Sequence, residues 1–351
     1  MHALAWVYIL VTNMRKWIAL GLAVLAAGLL IFLPDNDKPK TQYYHNQGNI
    51  FGTYYNIQYE ATEDLHEQIT AALKEVDNSL SMFNQNSVIS KINRNEHVIL
   101  DSLFLSMFQE AQSISAISGG AFDITVAPLV NAWGFGTKSK NYVETLPQDS
   151  LQHIIDSIRA YTGYQNLHIN NGKLYKDDPR ITLDASAIAK GYGCDVVANV
   201  LRAHGCKNLL VEIGGEVVLE GVNDKGDPWR VGIGKPKIDA TGLEDSLQEI
   251  IASKKLCMAT SGNYLQYYFV GDERRSHTID PRLGRPVEHS LLSATVTTSS
   301  CMRADALATA CMVLGEQEAL KMIERTTDAA CYLIIADKDS LRVVKSSRWE
   351  Y

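Results

Sequence analysis

Residues 208–215 read NLLVEIGG, an apolar run broken once by Glu212 and closed by two glycines. A short apolar run bounded by turn residues is the pattern of a strand buried on both faces, and the glycine pair supplies the turn that ends it. Working outward, residues 191–204 upstream read as a helix that follows the glycine of AKG, and PWRVGIGKP at 228–236 downstream reads as another strand. Further toward the N-terminus, IFGTYYNIQYE at 50–60 has the aromatic and β-branched composition of a strand. An amphipathic helix is predicted over 64–80, ending near Asn78, and further helices over about 101–118, stopped by Gly119-Gly120, and over 147–162. Toward the C-terminus come the strand LLSATVTTS, a helix over 302–314 rich in small residues, the helical KMIERT, the strand AACYLIIAD and a last strand RVVKS. Strands and helices alternate irregularly, without the rhythm of βαβ units, so the fold class is α+β.

Composition sets outer limits. The chain has 351 residues, 46% hydrophobic and 21% charged, with a formal net charge of −7. That length fills one large domain, and the acidic balance argues against a nucleic-acid partner, which would call for a basic stripe. No repeat at solenoid or propeller period is present. The six cysteines (Cys194, Cys206, Cys257, Cys301, Cys311, Cys331) form no CxxC pair and no zinc-like spacing, and read as small buried hydrophobes.

The N-terminal forty residues form a separate part. Trp17 to Leu33 carry no charge and follow Arg15 and Lys16. Such a stretch is at the short end of what spans a bilayer, about 17–25 residues. The expected organisation is a cytoplasmic N-terminus over 1–16, with Met14 as an alternative start, a membrane anchor over 17–33, a linker over 34–47 and a catalytic body over 48–351. A cleaved signal peptide is the rival reading of 17–33, but no small-x-small site follows it.

Three clusters carry chemistry. In DASAIAKGYG, residues 184–193, small residues lead into a helix start; backbone amides there can meet a phosphate, as can Lys190. The alternative is a tight strand-to-helix turn. In HTIDPRLGRP, residues 277–286, proline and glycine set a sharp turn, and His277 either takes a proton from a hydroxyl nucleophile or hydrogen-bonds the turn. In ADALAT, residues 304–309, Asp305 and Thr309 share one helix face, and the alanines let that face approach another backbone closely. A carboxylate and a hydroxyl are hard ligands suited to magnesium. A carboxylate turned toward a metal would add little to the core. The chain has no P-loop, and Gly232-Ile-Gly234 lacks the third glycine of a dinucleotide fingerprint.

Together these segments resemble the ApbE family of FAD:protein FMN transferases. The resemblance runs from about Phe51 to Val344 through FGTYYNIQY, SLSMFNQNSVISKIN, GGAFDITVAPLVNAWGFG, LDASAIAKGYG, VEIGGE, TSGNY, HTIDPRLGRPVEH and ADALATACMVLG, in family order. It implies an ApbE-like, T-fold-like α+β fold of mixed sheets with packed helices. It also implies that Phe51 and Phe83 line a flavin site, standing where the family has methionine and tyrosine. Ala121, Phe122, Asp123, Asp184 and Lys190 would contact FAD. Asp305, Thr309 and the main chain of Ala187 would hold Mg2+, and His277 would be the general base.

The implied reaction attaches the FMN half of FAD to a Thr or Ser hydroxyl of an acceptor protein and releases AMP. The implied acceptor is a protein such as a flavin-carrying subunit of a respiratory electron-transfer complex. The implied location is the bacterial inner membrane, with the body in the periplasm, where such acceptors lie. A FAD pyrophosphatase using water as the nucleophile, and a non-enzymatic flavin-binding protein, remain the alternatives.

Overall fold

A computed structural model of the chain describes residues 40–136, 147–236, 247–263, 267–270, 273–338 and 340–351. The chain divides between Thr41 and Gln42 into two compact units, and the second carries all the strands and helices named below the division. The expected anchor at 17–33 lies outside the described residues, among which no helix is long and apolar enough to cross a membrane.

The second unit is built on one eight-stranded sheet, whose strands are β1 Gln42–Ile50, β2 Thr53–Ala61, β3 Leu209–Ile213, β4 Glu216–Glu220, β5 Lys255–Gly262, β6 Leu291–Thr297, β7 Ala330–Asp337 and β8 Ser340–Lys345. Each strand pairs with the next in chain order, and every pairing is antiparallel. The expected mixed sheets therefore give way to an antiparallel one. Smaller two-stranded ribbons, such as 229–234 with 247–253, stand beside it.

Helices are inserted between these strands: α1 His66–Leu80, α2 Val88–Asn93, α3 Ser102–Ile117, α4 Ala127–Ala132, α5 Gln148–Arg159, α6 Ala189–Ala203 and α7 Cys301–Arg325. The first six all fall between β2 and β3, and α7 joins β6 to β7.

Period-2 alternation sorts side chains to the two faces of the sheet. Val211, Ile213 and Val218 pack with Ile57 and Tyr59 against α1 and α6, through Ile69, Leu73, Val197 and Leu201. Ala294, Val296, Leu333 and Ile335 pack against α3 and α7, through Phe104, Phe108, Leu307 and Cys311. The alternate residues Leu210, Val217, Leu219, Tyr332 and Ile334 meet Trp229, Ile233 and Ile251 of the side ribbon and Trp349 near the C-terminus. Both faces are thus covered, which explains why NLLVEI looks apolar throughout.

β1 begins at Gln42, inside the stretch expected to be linker, and pairs with β2 along its whole length. Its alternation is weak because its burial pattern is mostly exposed or intermediate, as an edge strand's is. The connecting turn, Phe51-Gly52, has φ of 53° and 74°. That is the sign pattern of a two-residue I′ hairpin, in which the first position disfavours a bulky side chain. The helix over 302–314 extends to Arg325 across a break at Gly315, where φ is 74°. The helix hydrogen-bond ladder is relieved there by the His289 ring, whose Nε2–H donates to the Met312 carbonyl at 2.8 Å. All six cysteines are free, and all but the half-buried Cys257 are buried.

Candidate active site

The start of α6 and the first turns of α7 meet closely because both carry small residues. A Cβ at Gly191 would stand 2.8 Å from Asp305 Cβ and overlap the Cys301 carbonyl oxygen, so only glycine fits. Asp195, one turn along α6, accepts from the backbone N–H of Cys301 at 3.0 Å and of Met302 at 2.8 Å. It thereby caps the first turn of α7, where the helix dipole favours a negative group. Ser300 completes the cap, accepting from Arg303 N–H at 3.3 Å.

This junction fixes the carboxylate of Asp305, only 2% exposed, beside Lys190. Asp305 Oδ2 accepts from Gly191 N–H at 3.0 Å, and Lys190 Nζ lies 3.7 Å from Asp305 Oδ1. A third member closes the group: Glu216, the first residue of β4, whose Oε1 accepts from Lys190 Nζ at 3.0 Å. Glu216 follows the Gly214-Gly215 turn (φ 62° and 103°), and its side chain is 2% exposed. Two carboxylates therefore face one ammonium. Burial would strip the proton from Lys190, but the charges of Asp305 and Glu216 outweigh it and hold its pKa above the ordinary lysine value. Burial works against the charged form of the Glu216 carboxyl and Asp305 adds to that, while the Lys190 ammonium in hydrogen-bond contact opposes it.

Thr309 lies one helical turn beyond Asp305, and its hydroxyl is 3.2 Å from that of Ser261 on β5. Ala187 sits in the turn that enters α6. Asp305 and Thr309 offer hard oxygens, and a cluster with an excess carboxylate suits a divalent cation, so the residues present fit magnesium. One expectation is corrected here. Asp305 is not a carboxylate apart from the core; it is buried, holds the Gly191 amide and pairs with Lys190, so it braces α6 against α7.

Of the other expected residues, Ala121, Phe122 and Asp123 are all buried, with Phe122 in the main core. Asp123 spends both oxygens internally: Oδ1 accepts from Thr125 N–H at 2.8 Å and Thr125 Oγ1–H at 2.7 Å, and Oδ2 accepts from Tyr164 N–H at 2.8 Å. Burial raises its pKa against the pull of these donors. Asp123 braces its loop through these three donors. The loop touches two other motifs: Asp184 N–H donates to the Ile124 carbonyl at 2.7 Å, and Gly120 packs near Arg282 of the HTIDPRLGRP turn. Asp184 Oδ1 accepts from Ser186 N–H at 2.8 Å, which shapes the approach to α6.

Phe51 comes close to α6 because Gly193 has no side chain: a Cβ there would lie 2.7 Å from the Phe51 ring. Phe83, by contrast, is 70% exposed on the loop after α1. His277 is half-buried and packs edge-on against Phe135, ring centroids 6.3 Å apart. Its turn is anchored by Trp133 Nε1–H donating to the Gly284 carbonyl at 2.8 Å and by Arg282 paired with Asp280 through two contacts of 3.0 and 2.7 Å.

Lys190 and Asp305 thus come together, with Thr309 along the same helix face and Phe51 over the next turn of α6. Two further participants, Glu216 and Ser261, come from VEIGGE and TSGNY, motifs whose resemblance implies a part in shaping the FAD pocket without singling out either residue. The double glycine before Glu216 was the available signal, since it marks where a strand end meets a ligand or another backbone.

In architecture the chain is similar to solved flavin transferases. It superposes on the flavin transferase ApbE from Vibrio cholerae with a TM-score of 0.78 at 37% identity, covering 89% of this chain and 99% of that one. The Pseudomonas stutzeri flavinyl transferase ApbE in its apo form gives 0.76 at 31% identity, covering 88% and 95%. The chain belongs to the ApbE family, whose model matches residues 51–333. Among its relatives, the FAD:protein FMN transferase of Vibrio cholerae is 36% identical over 346 residues, covering 96% of this chain and 98% of the relative. That of Escherichia coli K12 is 32% identical over 344 residues, covering 93% and 95%.

Proposed function

We propose that this chain is an FAD:protein FMN transferase that moves FMN from FAD to a Thr or Ser hydroxyl of an acceptor protein and releases AMP. The observation that carries the reading is the half-buried ammonium of Lys190 beside Asp305 at the start of α6, a site with positive charge for a pyrophosphate and hard oxygens for a cation. Mg2+ held by Asp305, Thr309 and the main chain of Ala187 would supply neutralisation of the pyrophosphate charge.

The chain's own residues bind and orient the rest. Lys190 presents a fixed ammonium to a phosphate oxygen, and Phe51 offers an aromatic face toward the flavin end. The acceptor hydroxyl attacks the FMN phosphorus, its proton passes to His277, and the bond from that phosphorus to the bridging oxygen breaks. AMP departs with the bridging oxygen. Positioning and electrostatics carry such a reaction, with no covalent enzyme intermediate required.

The same reading takes the acceptor to be a flavin-carrying subunit of a respiratory complex and puts the body in the periplasm, behind an inner-membrane anchor at 17–33. Intact-mass spectrometry of a candidate acceptor, after incubation with the chain, FAD and Mg2+, tests it. A gain of one FMN is expected. Rapid release of free FMN and AMP without any gain on the acceptor would replace the transferase by a hydrolase.

A further inference from the structure

Buried carboxylates in this protein are, as a rule, consumed by their surroundings. Asp280 spends its two oxygens on the backbone and guanidinium of Arg282, and Asp123 spends its two on three donors. Glu216 departs from this. It is as buried as Asp305, yet among the described residues the one side chain that its Oε1 meets is Lys190, and its Oε2 is enclosed without a side-chain partner. A half-satisfied buried carboxylate weakens a fold, so bracing the backbone does not account for it. Its placement, however, is tightly set: Glu216 begins β4 in register with Ile213, and its carbonyl accepts from Cys194 Sγ–H of α6 at 3.3 Å.

The contact it does make decides where Lys190 points. A lysine chain is long and flexible, and its ammonium goes to the nearest oxygen. Here Glu216 holds it at 3.0 Å, leaving 3.7 Å to Asp305, beyond hydrogen-bond distance. Without Glu216 the only carboxylate left to the ammonium within this group is Asp305, the residue assigned to the cation. We infer that Glu216 is a positioning residue: it keeps the Lys190 ammonium off Asp305 and fixed for a pyrophosphate oxygen, so that lysine and cation engage the substrate together. The inference rests on the proposed function, in which Lys190 and Asp305 face the FAD pyrophosphate.

A double-mutant cycle with the full chain tests it, reading the FAD dissociation constant by flavin fluorescence with Mg2+ present, the Mg2+ concentration for half-maximal turnover, KM, kcat and Tm. Glu216→Gln is expected to weaken FAD binding and raise the Mg2+ requirement, each by about tenfold, the scale of one hydrogen bond to a charged group. KM should move more than kcat. Glu216→Asp keeps the charge but shortens the reach, and should show the same loss with Tm near wild type. In a Lys190→Ala background, Glu216→Gln should add nothing to the loss of FAD affinity. An equal further loss in that background would overturn the inference, because Glu216 would then act without Lys190. Full recovery by Glu216→Asp would overturn it as well, since charge alone would suffice. A wild-type chain that binds FAD yet modifies no acceptor would sink the transferase reading and leave this cycle legible, since the cycle reads binding.

Discussion

Gly191→Ala concentrates the architecture of the site into one methyl group. The added Cβ would lie 2.8 Å from Asp305 Cβ and within the Cys301 carbonyl oxygen's contact radius. Neither neighbour can yield alone: Cys301 is the first residue of α7, and Asp195 ties that helix to α6 through its first two amides. Relief therefore requires the two helices to separate, which stretches the 3.0 Å bond from Gly191 N–H to Asp305. Overpacking of this kind costs about 1–3 kcal/mol, and a hydrogen bond to a charged acceptor is worth about 1.5–3 kcal/mol. The gain from replacing glycine inside a helix offsets about 1 kcal/mol. The expected net loss is about 1.5–5 kcal/mol if the bond is lost. Urea unfolding followed by far-ultraviolet circular dichroism measures it. Gly193→Ala is the control, because its new methyl would press on the Phe51 ring and on Ile213 Cδ1 at 3.2 Å, side chains that can turn aside. If Gly191→Ala unfolds within about 0.5 kcal/mol of wild type, the size of an ordinary surface substitution, or if Gly193→Ala is the more costly, the close α6–α7 junction is wrong.

Asp305→Ala should abolish FMN transfer and, because Asp305 is buried and braced, also lower Tm by several degrees, whereas Thr309→Val should raise the Mg2+ requirement more mildly. Magnesium titrations and melts of both variants check this ordering, and wild-type Mg2+ dependence in Asp305→Ala would remove it from the metal site. His277→Ala should keep FAD bound and slow transfer by about 10²–10⁴-fold, the usual loss with a general base; unchanged turnover with a lower Tm would leave His277 as a turn residue. For pH, burial lowers the pKa of His289 below its ordinary 6.5, and its ring donates to Met312 while Nδ1 accepts from Leu291 N–H at 3.3 Å, so the neutral form is the native one. Since the unfolded chain takes up the proton first, this contribution is complete above about pH 6.5 and is lost as pH falls toward the lower folded pKa. His289→Gln should flatten that part of the Tm–pH curve, and an unaltered slope would assign it to other groups. A chain beginning at Lys40 should stay folded, because β1 starts at Gln42 and pairs throughout with β2; a circular dichroism spectrum without β structure would refute this boundary.

What the amino-acid order determined alone was everything that short-range physics controls. Helix α3 lies within the predicted 101–118 because Asp101 caps it, accepting from Phe104 N–H at 2.7 Å, and Gly119 and Gly120 take positive φ to end it. NLLVEI is strand because a doubly covered strand needs no polar face. Weak local signals hid the rest: β1 lacks clear alternation at a sheet edge, and α7 runs past Gly315 because the His289 ring, not a local sequence feature, accommodates the break. Only the tertiary structure decided which polar residues share a site. Lys190 and Glu216 are 26 residues apart, and Gly191 and Asp305 are 114 apart, so no spacing rule joins them. They meet because β4 lies in the sheet beneath α6 and because Gly191 lets α7 approach. The same closeness makes Asp305 a structural brace as well as an expected metal ligand, while Asp123, an expected ligand contact, also clamps its loop through Thr125 and Tyr164. A carboxylate's role depends on how many donors the fold aims at it, and those donors come from segments far away along the chain.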